Sequence, residues 1–155
     1  MDTQPAVAYA DDLVVGHRYQ LDSYTLDEAE LVEFARQWDP QGFHIDAAVA
    51  DAGAYGGLIA SGIHTIAIYQ RLSVTGVFDH WSVIAGRTLN DVRFLRPVRP
   101  GDTLTGTVLI DAIEFDDRGR ALVTTSAEIV NQDGSAVLTL VVDAYVRARP
   151  AAAGS

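Results

Sequence analysis

Apolar and polar positions follow two different rhythms along this chain. In residues 26–38 the apolar side chains Leu31, Phe34, Ala35 and Trp38 recur at intervals of three and four, which predicts an amphipathic helix. Thr25-Leu26-Asp27-Glu28 fits a capping box with Thr25 as N-cap, and Asp27, Glu28 and Glu30 crowd the first turns, where the helix dipole favours acids. The helix must stop near Trp38, because Pro40 pushes the residue before it out of the helical region. Residues 58–72 are apolar nearly all round and predict a second helix, buried on most sides. Between the two, residues 40–57 read as a long loop with short helical pieces, ending in Gly56-Gly57.

From about Ser82 onward the texture changes to long β-rich runs, at residues 88–98, 103–115, 120–131 and 135–147. Residues 17–25 read as a shorter first strand. The turn signals Asp116-Asp117-Arg118-Gly119 and Asn131-Gln132-Asp133-Gly134 predict hairpins, and with them an antiparallel meander. One strand, two helices and four long strands make an α+β plan, a sheet wrapped around the apolar helix. A single domain over residues 1–155 is expected, with an ordered core at about 10–149 and frayed termini.

Composition narrows the classes. The net charge is -10, and all 11 basic residues are arginine, which argues against a broad nucleic-acid surface. Arg87, Arg93, Arg96 and Arg99 fall within thirteen positions and form a candidate patch for a phosphate-bearing ligand. The chain has no cysteine, so disulfides and thiolate metal sites are excluded and a reducing cytoplasm is allowed. The start of the chain lacks the charged and apolar regions of a signal peptide, and the longest apolar stretch is too short to span a bilayer. The expected location is cytoplasmic.

One stretch carries chemistry. Trp38-Asp39-Pro40-Gln41-Gly42-Phe43-His44-Ile45-Asp46 sets a carboxylate and an imidazole five positions apart. Fully extended, those side chains would lie roughly 17 Å apart. A helix would not align them either, since neighbours on one helical face are three or four apart. A tight turn is required, and Pro40 and Gly42 are residues that favour one. An acid and a base converging on one volume is what proton transfer needs. His44 with Asp46 also suggests a metal pair, but no third ligand sits at useful spacing and no metal is expected.

Three segments in this order resemble the MaoC-like (R)-specific enoyl-CoA hydratase/dehydratase family, over roughly residues 16–146. They are Phe34-Ala35 leading into Asp39-Pro-Gln-Gly-Phe-His44-Ile-Asp46, then Tyr55-Gly-Gly-Leu-Ile-Ala-Ser-Gly62, then Asp91-Val-Arg-Phe-Leu-Arg-Pro-Val-Arg-Pro-Gly-Asp102. The resemblance implies a hot dog fold and a homodimer whose second copy covers the sheet edge and apolar surface of the first. It implies reversible hydration of a trans-2-enoyl thioester, carried by coenzyme A or an acyl carrier protein, with no metal or redox cofactor. In the family's Asp-x-Asn-Pro-x-His motif the aspartate and histidine are the catalytic pair, matching Asp39 and His44. A glycine at the start of the buried helix gives its N–H to the thioester carbonyl and matches Gly62. Gln41, Gly57, Ser61, Arg93 and Arg96 are the expected substrate-binding residues, Ser61 serving alternatively as a helix cap. Two positions depart from the pattern: Gln41-Gly42 stands in place of Asn-Pro, and Gln70 in place of a serine on the helix.

Two other readings bear on the same residues. A hot dog thioesterase usually carries its acid on the buried helix, where residues 58–72 have neither Asp nor Glu. A non-catalytic acyl-binding or partner subunit would have lost the Asp/His pair, which is present here.

Overall fold

The computed structural model describes residues 7–151; residues 1–6 and 152–155, including most of the tail expected to fray, lie outside the described residues. Two short strands, β1 (Arg18–Gln20) and β2 (Tyr24–Thr25), lead into helix α1 (Glu28–Trp38). Two brief helices follow, α2 (Gly42–Ile45) and α3 (Ala47–Asp51), and then the long helix α4 (Gly62–Gly76). Four long strands complete the chain: β3 (Val83–Phe94), β4 (Thr103–Phe115), β5 (Arg120–Val130) and β6 (Ala136–Arg147).

The strands form one antiparallel sheet in the order β1-β4-β5-β6-β3, with β2 also paired to β4. Both expected hairpins are present, with Gly119 and Gly134 at positive φ in their turns. The meander is only partial. β4, β5 and β6 follow one another, but β3 pairs with β6 at the far edge. The loop after β3 contains Pro97 and Pro100, and the bond from the Ala60 N–H to the Val98 carbonyl ties it to the segment before α4. This loop carries the chain across to β4 on the other side.

The sheet curves around α4. Ile68, Tyr69 and Leu72 of the helix join Val108, Ile110, Val123, Ile129, Leu138 and Leu140 of the strands in one apolar core. This is the hot dog arrangement. Alternation of buried and half-buried residues along β4, β5 and β6 is the pattern of strands with one face on the core.

Four local expectations are corrected. The N-cap of α1 is Asp27, whose carboxylate accepts the Glu30 N–H at 2.8 Å. Thr25 belongs instead to β2, with its hydroxyl 2.8 Å from that of Thr103. α4 starts at Gly62 rather than at 58, because the Ile59 and Ala60 N–H groups bond to the Phe43 and Val98 carbonyls and Ser61 is the N-cap. α4 is buried on one face only: His64, Thr65, Ile68, Tyr69, Leu72 and Ser73 are covered, while Ile63, Ala67, Gln70 and Arg71 are exposed. Trp38, which falls on the predicted apolar face of α1, is 65% exposed, as the helix end overhangs the core that Leu31 and Ala35 join.

Candidate active site

Pro40 ends α1 and sets up the site. Asp39 caps the helix with its N–H on the Ala35 carbonyl, and the Gln41 N–H turns back onto the Asp39 carbonyl at 2.8 Å. The single turn of α2 then swings His44 toward Asp39. Gly42 opens that turn, where a Cβ would meet Val49 Cγ1 at 2.8 Å, so any larger residue there would require the Val49 side chain to move. The turn foreseen between Asp39 and His44 is thus a reverse turn followed by one turn of helix. It leaves Asp39 Oδ2 3.4 Å from His44 Nε2.

The histidine is buried and held from both sides. Its ring meets Phe43 edge-on at 4.3 Å, and Nδ1 lies 2.6 Å from the main-chain carbonyl of Ile59. A carbonyl only accepts, so Nδ1 carries the proton and Nε2 is the nitrogen that can exchange protons toward Asp39. Both carboxylate oxygens of Asp39 are engaged as well. Oδ1 accepts from the Gln41 side-chain amide at 2.8 Å, and Oδ2 accepts from the Ser61 hydroxyl at 2.7 Å. The Ser61 hydroxyl, then the Gln41 amide and the nearby His44, hold the Asp39 carboxyl below the usual carboxylate range, against the opposing effect of burial.

Asp39, Gln41, His44, Gly62, Phe94 and Arg96 line a cleft of about 350 Å³. Gly62 is the first residue of α4, so its N–H has no partner within the helix. A helix N-terminus of this kind suits a carbonyl oxygen that gains negative charge. Phe94 lies directly over it: a Cβ on Gly62 would come within 2.7 Å of the Phe94 ring.

Phe94 is absent from the residues expected from sequence, and a bulge explains why. Leu89 pairs with the core-facing Val142 and Phe94 with the core-facing Leu138. Those two β3 residues are five apart, so a regular strand would place them on opposite faces. Between Asn90 and Arg93 the register shifts by one, with Asp91 at φ 50°. The extra residue turns Phe94 inward and Arg93 outward.

Arg93 therefore does not reach the cleft. It is exposed and pairs with Asp91 at 2.8 Å. Gly57 is also off the wall, in a loop where Arg99 donates to the Tyr55 carbonyl and Arg99 Nη1 would be 3.2 Å from an added Cβ. Ser61 is fully buried behind Asp39 and does not line the cleft. Arg96 does line it, with Nη1 anchored on the Ala136 carbonyl. Gln70 faces away, into a separate hollow of about 430 Å³ between the outer face of α4 and the β3–β6 edge. His64 is a buried core residue stacked on Phe34 at 4.2 Å, with Nε2 3.6 Å from Glu30.

Comparison with known proteins matches the sequence and fold of the chain to one family. The family model described as MaoC like domain matches residues 12–132. The chain is 33% identical over 136 residues to 3-hydroxyacyl-thioester dehydratase Z of Mycobacterium tuberculosis, covering 83% of this chain and 85% of that one. The crystal structure of a MaoC-like dehydratase from Rhodospirillum rubrum superposes with a TM-score of 0.85 at 34% identity, over 93% of this chain and 99% of that one. An (R)-hydratase from A. caviae involved in PHA biosynthesis superposes at 0.69 with 25% identity, over 89% and 98%. With its sheet wrapped around one helix and its sequence matched over most of its length, the chain belongs to the MaoC-like family of hot dog proteins.

Proposed function

We propose that this protein catalyses the reversible hydration of a trans-2-enoyl thioester to an (R)-3-hydroxyacyl thioester. The observation that carries the reading is the Asp39–His44 pair, facing across 3.4 Å on the wall of a cleft that also contains Gly62 at a helix N-terminus. The named dehydratase and hydratase relatives support the reaction class.

Water is a weak nucleophile and needs a base at its proton as it attacks. In this reading the thioester oxygen lies against the Gly62 N–H, which stabilises the enolate as it forms. Asp39 accepts a proton from water as the new C3–O bond forms. His44, starting as the imidazolium with Nδ1–H on the Ile59 carbonyl and a second proton on Nε2, gives the Nε2 proton to C2. The proton on Asp39 then passes to Nε2 and restores the pair. Charge and atoms balance: C3 gains hydroxyl, C2 gains hydrogen, and the enzyme is unchanged. The steps call for no metal or redox cofactor, and coenzyme A enters only as part of the substrate. Arg96 at the cleft supplies a cation for the phosphates of a coenzyme A or acyl-carrier-protein arm.

The full Asp/His pair speaks against a purely binding subunit, and α4 lacks the acid expected of a thioesterase. Two copies are proposed to pair along β3. This twelve-residue strand forms a sheet edge with Val83, Ile84, Leu89 and Phe94 exposed, beside the uncovered face of α4. The function is tested with purified protein and enoyl-CoA thioesters of varied chain length, following loss of the enoyl absorbance. Hydration by the wild type, strongly reduced in Asp39→Asn, supports the reading; hydration unchanged in that variant removes Asp39 from it.

A further inference from the structure

Ser61 has one hydroxyl proton and oxygen lone pairs to accept with. The proton is directed at Asp39 Oδ2, 2.7 Å away, and a lone pair receives the Ile63 N–H at 3.2 Å. The main-chain carbonyl of the same residue accepts from the N–H groups of His64 and Thr65. Ser61 thus closes the first turn of α4, whose leading residue is Gly62, while its side chain grips the carboxylate at the end of α1. It is fully buried, so its proton does not serve a ligand in the cleft.

We infer that Ser61 is a positioning residue that sets the orientation and basicity of Asp39 and locks it in register with the Gly62 N–H. Without the hydroxyl, Oδ2 is free to rotate away from Nε2, and the carboxylate loses a charge-assisted hydrogen bond. The Asp39 carboxyl lies below the usual carboxylate range, with this hydroxyl the largest cause, in agreement with the geometry. The role rests on the proposed acid–base chemistry, but the Ser61–Asp39 link is measurable without it.

A helix cap alone would affect only stability. The test therefore reads Asp39 itself. The carboxyl carbons of aspartate are labelled with 13C, the Asp39 signal is assigned with Asp39→Asn, and its titration is followed in wild type, Ser61→Ala and Ser61→Thr. In parallel the pH profile of kcat/KM is measured on an enoyl-CoA. The expected result for Ser61→Ala is an Asp39 titration and an acid limb both moved to higher pH. kcat should fall about ten- to a hundredfold, the size of one hydrogen bond to a charged group, with KM little changed. Ser61→Thr, which keeps the hydroxyl, should restore both to near wild type. If Ser61→Ala does not fold, Ser61→Cys provides a near-isosteric, weaker donor and should shift both in the same direction. An unmoved Asp39 titration in a folded variant overturns the inference. A wild type that hydrates no thioester overturns the proposed reaction instead, and the titration still decides the role of Ser61.

Discussion

The Ile59 carbonyl fixes the tautomer of His44 through a 2.6 Å bond to Nδ1, leaving Nε2 as the nitrogen that faces Asp39. The proton-transfer role proposed for His44 therefore depends on a main-chain atom fifteen residues away, which no side-chain substitution at 59 removes. Replacing His44 with Ala should lower kcat about 10²- to 10⁴-fold, as expected for losing one acid–base group. Replacing it with Asn, which can mimic Nδ1 but not Nε2, should keep the fold and remain as inactive. Steady-state kinetics with circular dichroism of both variants checks this.

The approach of Phe94 to Gly62 predicts a coupled pair. Gly62→Ala puts a methyl within 2.7 Å of the ring and so displaces either Phe94 or the helix terminus. A loss in kcat/KM of tenfold or more is expected. Phe94→Ala in the same chain should recover part of it, because it removes the obstructing ring. A double-mutant cycle measures the coupling, and simple additivity would show that the two do not act through this contact.

His64 makes stability depend on pH. Burial holds its imidazole below the usual histidine range, with Glu30 opposing the shift. The unfolded chain therefore binds the proton first as pH falls through about 6.5, so folding weakens on the acid side of that point. Urea denaturation at pH 7.5 and 5.5 should show the loss in wild type. His64→Gln should show a smaller one.

Tyr69 adds a pH dependence at the alkaline end. Its fully buried phenol is pushed up to about 12 by desolvation. The unfolded tyrosine ionises near 10, so stability should be unaffected below that and fall as pH rises from 10 toward 12. Tyr69→Phe should flatten this alkaline loss, read by denaturant melts at pH 9 and 11.

β3 is the proposed edge between two copies. Leu89, 54% exposed beside the hollow that Gln70 lines, is expected to be covered there. Leu89→Arg should shift the sedimenting species from two chains to one. Arg118→Ala in the β4–β5 turn should leave it at two.

Local rules were enough to read much of this molecule from its sequence. Pro40 dictated where α1 stops, the Asp-Asp-Arg-Gly and Asn-Gln-Asp-Gly turns dictated two hairpins, and the acid and base met where a turn had to join them. What escaped depends on partners distant in sequence. β3 runs from 83 to 94 rather than 88 to 98 because β6 pairs with it from Val83 through to Phe94, while Pro97 and the Ala60–Val98 bond keep the following residues out of the sheet. The bulge at Asp91 exchanges Phe94 for Arg93 in the cleft, and alternation alone predicts the reverse. Asp27 outcompetes Thr25 as cap because Thr25 is held in a strand by Thr103, 78 residues away. Ser61 could be seen as a cap from its place before Gly62, but its bond to Asp39 spans 22 positions and has no local signature.

In the proposed reaction Asp39 and His44 together add water across an enoyl thioester. Its most direct measurement is hydration of enoyl-CoA by wild type, Asp39→Asn, His44→Ala and the double variant, with the configuration of the 3-hydroxyacyl product determined. The proposed reaction should give an (R)-product from wild type, losses of about 10²- to 10⁴-fold in each single variant, and a double variant little worse than the singles, since the pair acts as a unit. An (S)-product, or either single variant as active as wild type while folded, would contradict it.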